Sequence, residues 1–202
     1  MPSVTQIVGT AHQPRKGYLP LSKFDMTEYS DGRSVSGEYN IHPAIVGLAV
    51  DYGTRLAQGA PSRDVFSVAL AGASLVGALS EAEELLGELD DIAGEDGVPS
   101  SGSIVRICKL SGFDSAFRAG ARAYKPVSEI EPDGQTEPDG QTVADIRTLI
   151  ERTVEFFEEN GPVTDSGFTF SGGYSDSIES GDADYLTADT IWDLKVRKAQ
   201  PN

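Results

Sequence analysis

"GDADYLTADTIWDLKV", residues 181–196, alternates polar and apolar side chains on either side of a Thr-Ala-Asp turn. That alternation is the mark of two short antiparallel strands, each with one face packed and one face wet. Yet the hairpin carries Asp182, Asp184, Asp193 and Lys195 among its apolar residues. Residues two apart in a strand share a face, so Asp193 and Lys195 project together, with Trp192, Leu194 and Val196 on the packing side. A turn around Ala188 returns Asp184 beside Asp193. Two carboxylates and an ammonium then surround one point. Carboxylates crowded in a low-dielectric sheet are costly unless a cation is shared between them. Oxygen donors favour Mg²⁺ or Mn²⁺, with Asp184 and Asp193 as the candidate ligands. The competing reading is an Asp193–Lys195 ion pair on an exposed sheet face.

Working outward, "GFTFSGGYSDSIES" (167–180) supplies Phe168, Phe170, Tyr174 and Ile178 among Gly and Ser, a strand composition with expected turns at 171–173, 180–181 and 187–189. Before it, "TVADIRTLIERTVEFFEENG" (142–161) places Val143, Ile146, Leu149, Ile150, Val154 and Phe157 on one helical face, with Thr142 as the expected cap and Gly161 as the stop. The last third therefore reads helix, strand, strand, strand. It is preceded by a tandem hexapeptide, "EPDGQTEPDGQT" (131–142), with no apolar side chain to bury, read as a surface loop. Further upstream the pattern is helical. One helix is expected from Pro43 to Gly59, and a largely buried one from Ser62, rich in small residues that would let a neighbour approach closely. After a loop at 94–102, a third is expected, broken near Ser111–Gly112. Residues 1–40 read as loop with a strand near Gln6–Gly9. The expectation is an α+β chain: a mainly helical part (1–130), the duplicated loop (131–142), and a helix-plus-sheet module with a three-stranded antiparallel sheet (143–202).

Composition narrows the function classes. The net charge of −16 is uneven: residues 1–125 hold 15 acids and 11 bases, residues 126–202 hold 17 acids and 5 bases. Such a chain repels polyanions at long range, which argues against loose nonspecific DNA binding. No apolar run is long enough to span a bilayer and no secretory leader is legible, so no membrane association and a cytoplasmic location are expected. With one cysteine, Cys108, there is no internal disulfide. His12 and His42 lack a Cys or second His at ligand spacing, which argues against zinc. "DADYLTADTIWD" fails as a calcium loop, since Leu186 and Thr187 stand where a ligand and the Gly are required. "SGGYSDS" reads as a turn or bulge and Asp182 as a turn residue.

Gly181-x-x-Asp184, nine residues and then Asp193-x-Lys195, on helix–strand–strand–strand, resembles the PD-(D/E)XK nuclease superfamily over roughly residues 143–198. The apolar phrase "WDLKV" carrying D-x-K is part of that resemblance. It implies a restriction-endonuclease-like core, Mg²⁺- or Mn²⁺-dependent phosphodiester hydrolysis of DNA or RNA, a catalytic role for Asp184, Asp193 and Lys195, and a helical Glu, for which Glu151 and Glu158 are candidates. RecB-like members often carry G-x-x-x-H on an earlier helix; Gly47 matches, and Asp51 stands where the His would be. The family core continues past the D-x-K strand, whereas here only "VRKAQPN" follows Lys195, which implies a partial core: truncated, completed by a partner, or reused for binding.

Two function classes follow. One is a metal-dependent nuclease acting on nucleic acid. The other is a non-catalytic acidic protein that occupies the basic nucleic-acid-binding surface of a partner protein, as phage or mobile-element inhibitors do. An open sheet edge would in either case favour a homo-oligomer.

Overall fold

Among the described residues, His42 opens the first helix: its Nδ1 accepts from the Ala44 N–H at 3.2 Å, and Pro43 fits the first turn, where its missing N–H costs nothing. The computed structural model describes residues 31–89, 97–125, 137–175 and 178–196, together with His12, Asp25 and Thr27; residues 168–182 are described by their backbone. The expected strand near Gln6–Gly9 and the first copy of the hexapeptide lie outside the described residues.

The chain is α+β. Helices α1 (Pro43–Ala57), α2 (Ser62–Val65), α3 (Ser67–Leu75), α4 (Leu79–Gly87), α5 (Ser101–Ser111), α6 (Asp114–Ala119) and α7 (Gly140–Asn160) precede strands β1 (Asp165–Ser175), β2 (Ile178–Leu186) and β3 (Ile191–Trp192). The strands form one antiparallel sheet in the order β1-β2-β3. No helix among the described residues is long and apolar enough to cross a membrane.

The single helix expected from Ser62 is three. Pro61, not Ser62, occupies the cap position of α2, and the chain breaks at Phe66 and again between Leu75 and Leu79. Gly77 sits there at φ +75°, a left-handed conformation that a β-carbon disfavours and that ends the helix. The small residues do admit a neighbour. A β-carbon at Gly72 would overlap the Phe113 carbonyl oxygen, so α3 lies directly on the start of α6. The break near Ser111–Gly112 falls as expected, between α5 and α6.

The core joins α1, α5 and α7 to the α2–α4 segment, whose Val65, Phe66, Ala69 and Leu86 belong to the same cluster. Val46, Ala49 and Val50, Ile104, Ile107 and Cys108, and Ile146 and Ile150 are all sealed from solvent in one cluster. Each branched aliphatic side chain buried there contributes about 1.5–3 kcal/mol. Gly53 lets α1 and α7 touch, since a β-carbon there would overlap Ile150. Because α7 supplies half of this contact, the hydrophobic core crosses the position where the sequence suggests a boundary at 131–142. The second hexapeptide copy is no bare loop. Asp139 caps α7, its Oδ1 accepting from the Thr142 N–H at 2.7 Å, and the helix starts at Gly140. Thr142, the cap expected from sequence, is instead buried against Asn40.

In the sheet, the three-strand count and the turn at 187–189 hold, while the turns expected at 171–173 and 180–181 do not. Ser171 pairs with Ser180 and Phe170 with Gly181, so those Gly-Ser stretches lie within the β1–β2 ladder. Asp182 pairs with Thr169 and is a strand residue, not a turn residue. The "SGGYSDS" stretch does carry an irregularity, a register shift between Ser171 and Ser175. Gly and Ser mark a bulge within a ladder as readily as a turn between strands.

Candidate functional site

The hairpin register places the acids. Tyr185 pairs with Trp192 and Leu186 with Ile191, and continuing this register one step further would bring Asp184 across from Asp193. Regular strand structure stops at Trp192, but the alternation persists: Asp193 and Lys195 are exposed, while Trp192, Leu194 and Val196 are half-buried, the last two packed on the core. The Lys195 ammonium is bonded to Asp193 Oδ1, with side chains 54% and 66% exposed. Asp184 Oδ2 accepts from the Leu194 N–H at 2.7 Å, which ties the chain beyond β3 back to β2.

Asp184 is the strained member. Burial raises its carboxyl above the usual range, and the charge of Asp51 and the carboxyl of Asp193 push the same way; the Leu194 N–H and Lys195 oppose them. Aspartates from two other segments thus act on Asp184 at this corner. Asp51 is not the surface acid that an amphipathic helix suggests. Its side chain is 14% exposed, ion-paired to Arg55 one turn on, and accepts the Tyr185 hydroxyl at 2.9 Å on Oδ1. The same hydroxyl reaches the Asp51 carbonyl at 3.1 Å, clamping β2 to α1. Arg55 also lies against β1, where a β-carbon at Gly167 would collide with its guanidinium. Sequence reasoning missed Arg55 and Tyr185. The i,i+4 spacing of Asp51 and Arg55 was the available signal.

The helical glutamates lie elsewhere. Glu151 is held by Arg33 at 3.0 Å and Arg147 at 2.9 Å, not by the hairpin. Glu158 is exposed on the last turn of α7. His42 is a helix cap, and the Cys108 thiol, fully buried, is pushed up to about 12 by desolvation.

Beside Asp193 and Lys195 runs a groove of about 470 Å³ between the C-terminal half of α7 and the hairpin. Its floor is aromatic. Phe156 meets Trp192 edge-on at 5.0 Å, Phe157 meets Tyr185 at 4.9 Å, and the Trp192 Nε1–H donates to Thr187 Oγ1 at 3.1 Å. Arg152, on its rim, makes a fork to Asp31 at 2.9 and 3.0 Å, and Asp31 is held well below the usual carboxylate range chiefly by that guanidinium.

The donor set admits a hard cation. Mg²⁺ is commonly held by one or two carboxylates, its remaining positions filled by water and substrate phosphate. The hydrogen bonds above use one oxygen each of Asp184 and Asp193, while Arg55 and Tyr185 occupy both oxygens of Asp51. Among the described residues, no three His, Cys, Asp or Glu side chains converge as a ready-made metal cage. Set beside known proteins, the chain matches no family model, no curated protein and no solved structure.

Proposed function

We propose that the Asp184–Asp193–Lys195 corner serves a divalent-metal-dependent phosphodiesterase of the PD-(D/E)XK type, acting on DNA or RNA. One observation carries the reading: Asp184 lies next to the last β2–β3 pair, Tyr185–Trp192, and holds the Leu194 N–H between Asp193 and Lys195, which are bonded to each other. Asp184 and Asp193 would hold Mg²⁺ or Mn²⁺, which when bound supplies Lewis acidity toward a phosphoryl oxygen and lowers the pKa of a water. The chain's own groups do the rest. The crowding of Asp184 by Asp51 and Asp193 makes this corner favour added positive charge. Lys195 is exposed enough to leave Asp193 for a substrate phosphate, where its ammonium opposes the charge that builds on the phosphoryl oxygens. In the reaction, water oxygen bonds to phosphorus as the water gives up a proton to solvent, the bond to the leaving ester oxygen breaks, and that oxygen takes up a proton from solvent. Arg55 and Tyr185, by fixing Asp51 and β2, keep the corner in register.

The test is calorimetric titration with Mn²⁺, followed by cleavage of labelled single- and double-stranded DNA and RNA. Wild type should bind the ion, Asp184→Asn with Asp193→Asn should not, and Lys195→Ala should bind it without cleaving. Absence of Mn²⁺ heat from the wild type overturns the reading.

A further inference from the structure

The aromatic groove shares Asp193 and Lys195 with this corner, but its aromatic floor is not used by the phosphodiesterase chemistry, and its charge suits a different ligand. Its described lining carries four acids, Asp31, Glu155, Glu159 and Asp193, against two bases, Arg152 and Lys195. Both bases are paired with acids on the same rim, Arg152 with Asp31 and Lys195 with Asp193, and Arg33 pairs with Asp31 and Glu155, so among the described residues Glu159 is the lining acid that no cation answers. It lies along the C-terminal half of α7, whose end carries the negative pole of the helix dipole, and the last turn holds no basic residue. The floor of half-buried Phe156 and Trp192 over buried Phe157 and Tyr185 offers apolar contact and ring faces that attract cations. The whole chain, at −16, repels a polyanion and attracts a polycation.

We propose that this groove docks a short peptide segment of a partner protein in which basic residues alternate with aliphatic ones. The aliphatic side chains fill the space over Phe156 and Trp192, and the cations meet Glu159 and the end of α7. Charge complementarity selects this occupant: a nucleic-acid strand would face Glu159 and the negative end of α7, and a purely apolar segment would leave both unanswered. The proposal does not rest on the phosphodiesterase reading, because its test contains no metal and no nuclease assay.

Trp192 is the chain's single tryptophan, so its emission reports on the groove directly. The intact protein is titrated with a synthetic hexapeptide alternating lysine and leucine, with a lysine hexamer, with a glutamate–leucine hexapeptide, and with oligothymidylate. The lysine–leucine peptide should give a saturable shift of Trp192 emission that weakens as salt is raised. The lysine hexamer and the glutamate–leucine peptide should each bind at least about tenfold more weakly. Phe156→Ala should weaken binding by a similar factor, and Glu159→Lys, at an exposed position, by several-fold. The proposal is overturned if the lysine–leucine peptide gives no saturable shift, if the lysine hexamer or oligothymidylate binds as well, or if Glu159→Lys leaves its affinity unchanged.

Discussion

The two ends of α7 are treated in opposite ways. At the N-terminal end the capping and side-chain polar groups find partners. Asp139 caps the helix, Asn40 accepts from the Asp139 N–H and the Thr142 hydroxyl at 2.9 Å each, and Lys109 pairs with Glu137 at 2.6 Å. One turn in, buried Asp145 collects the Ser36 N–H at 2.9 Å, the Ser36 hydroxyl at 2.6 Å, the Gly37 N–H at 3.3 Å and the Gln141 amide at 2.8 Å. At the other end, Glu158 and Glu159 stand exposed against the negative pole of the helix, beside an open aromatic groove and a half-buried aspartate under repulsion. Polar groups that are fully satisfied add stability, while groups left in conflict cost it. The first end is built to hold the fold, and the second gives up stability where a ligand can restore it.

The largest expected effect tests the first half of that contrast. Asp145→Ala removes the charged acceptor of three donors in the 36–37 segment at once, and should cost roughly 2–3 kcal/mol in urea unfolding, since a hydrogen bond to a charged group contributes about 1.5–3 kcal/mol and the exposed Ser36 donors regain water. A loss indistinguishable from that of an exposed α7 residue would erase the distinction between the ends.

pH separates the two aspartates by sign. Burial works against ionised Asp145, but the hydrogen bonds from Ser36, Gln141 and Gly37 prevail and lower its carboxyl. A lowered folded pKa means stability that is present above the unfolded value, about 3.9, and is lost as pH falls through the folded one. Asp184 is raised, mainly by burial, so the folded state binds its proton more readily and stability falls as pH climbs past about 3.9. Asp184→Asn keeps an acceptor for the Leu194 N–H and removes the charge. Its melting temperature should exceed that of the wild type at neutral pH, by a gain of under about 1 kcal/mol because the group is half solvated. The gap should close as pH drops toward 4. A variant less stable than wild type at pH 7 would mean that the Asp184 charge is satisfied after all.

What the sequence revealed follows the range of the interactions involved. Periodicity located α1, α7 and the β2–β3 hairpin, and strand alternation alone paired Asp193 with Lys195 and brought Asp184 near them, because these depend on neighbours in the chain. The turns at 171–173 and 180–181 failed because Gly and Ser describe local backbone freedom, whereas the ladder with Thr169 and Phe170 decides how it is used. The role of Asp51 was hidden for the same reason. Its burial depends on Tyr185, 134 positions away, and no local pattern marks a tyrosine hydroxyl as the clamp. The groove was equally illegible, since Asp31 and Trp192 meet across most of the chain's length.

The smallest expected effect is the most direct test of the second half of the contrast. Glu158 is exposed and lies outside the groove lining, so replacing it touches neither the aromatic floor nor the Asp184 corner. In Glu158→Lys a cation stands on the last turn of α7, where the dipole favours it, and an anion that the dipole opposes is gone. The variant should therefore be more stable than wild type by about 0.3–0.5 kcal/mol at low salt, with the gain shrinking as salt is raised. Most surface charge changes are neutral or slightly harmful, so a reproducible gain identifies the acidic end of α7 as held against folding stability. A loss in Glu158→Lys would instead mean that Glu158 contributes a folded-state contact, and the end of the helix would then be as satisfied as its beginning.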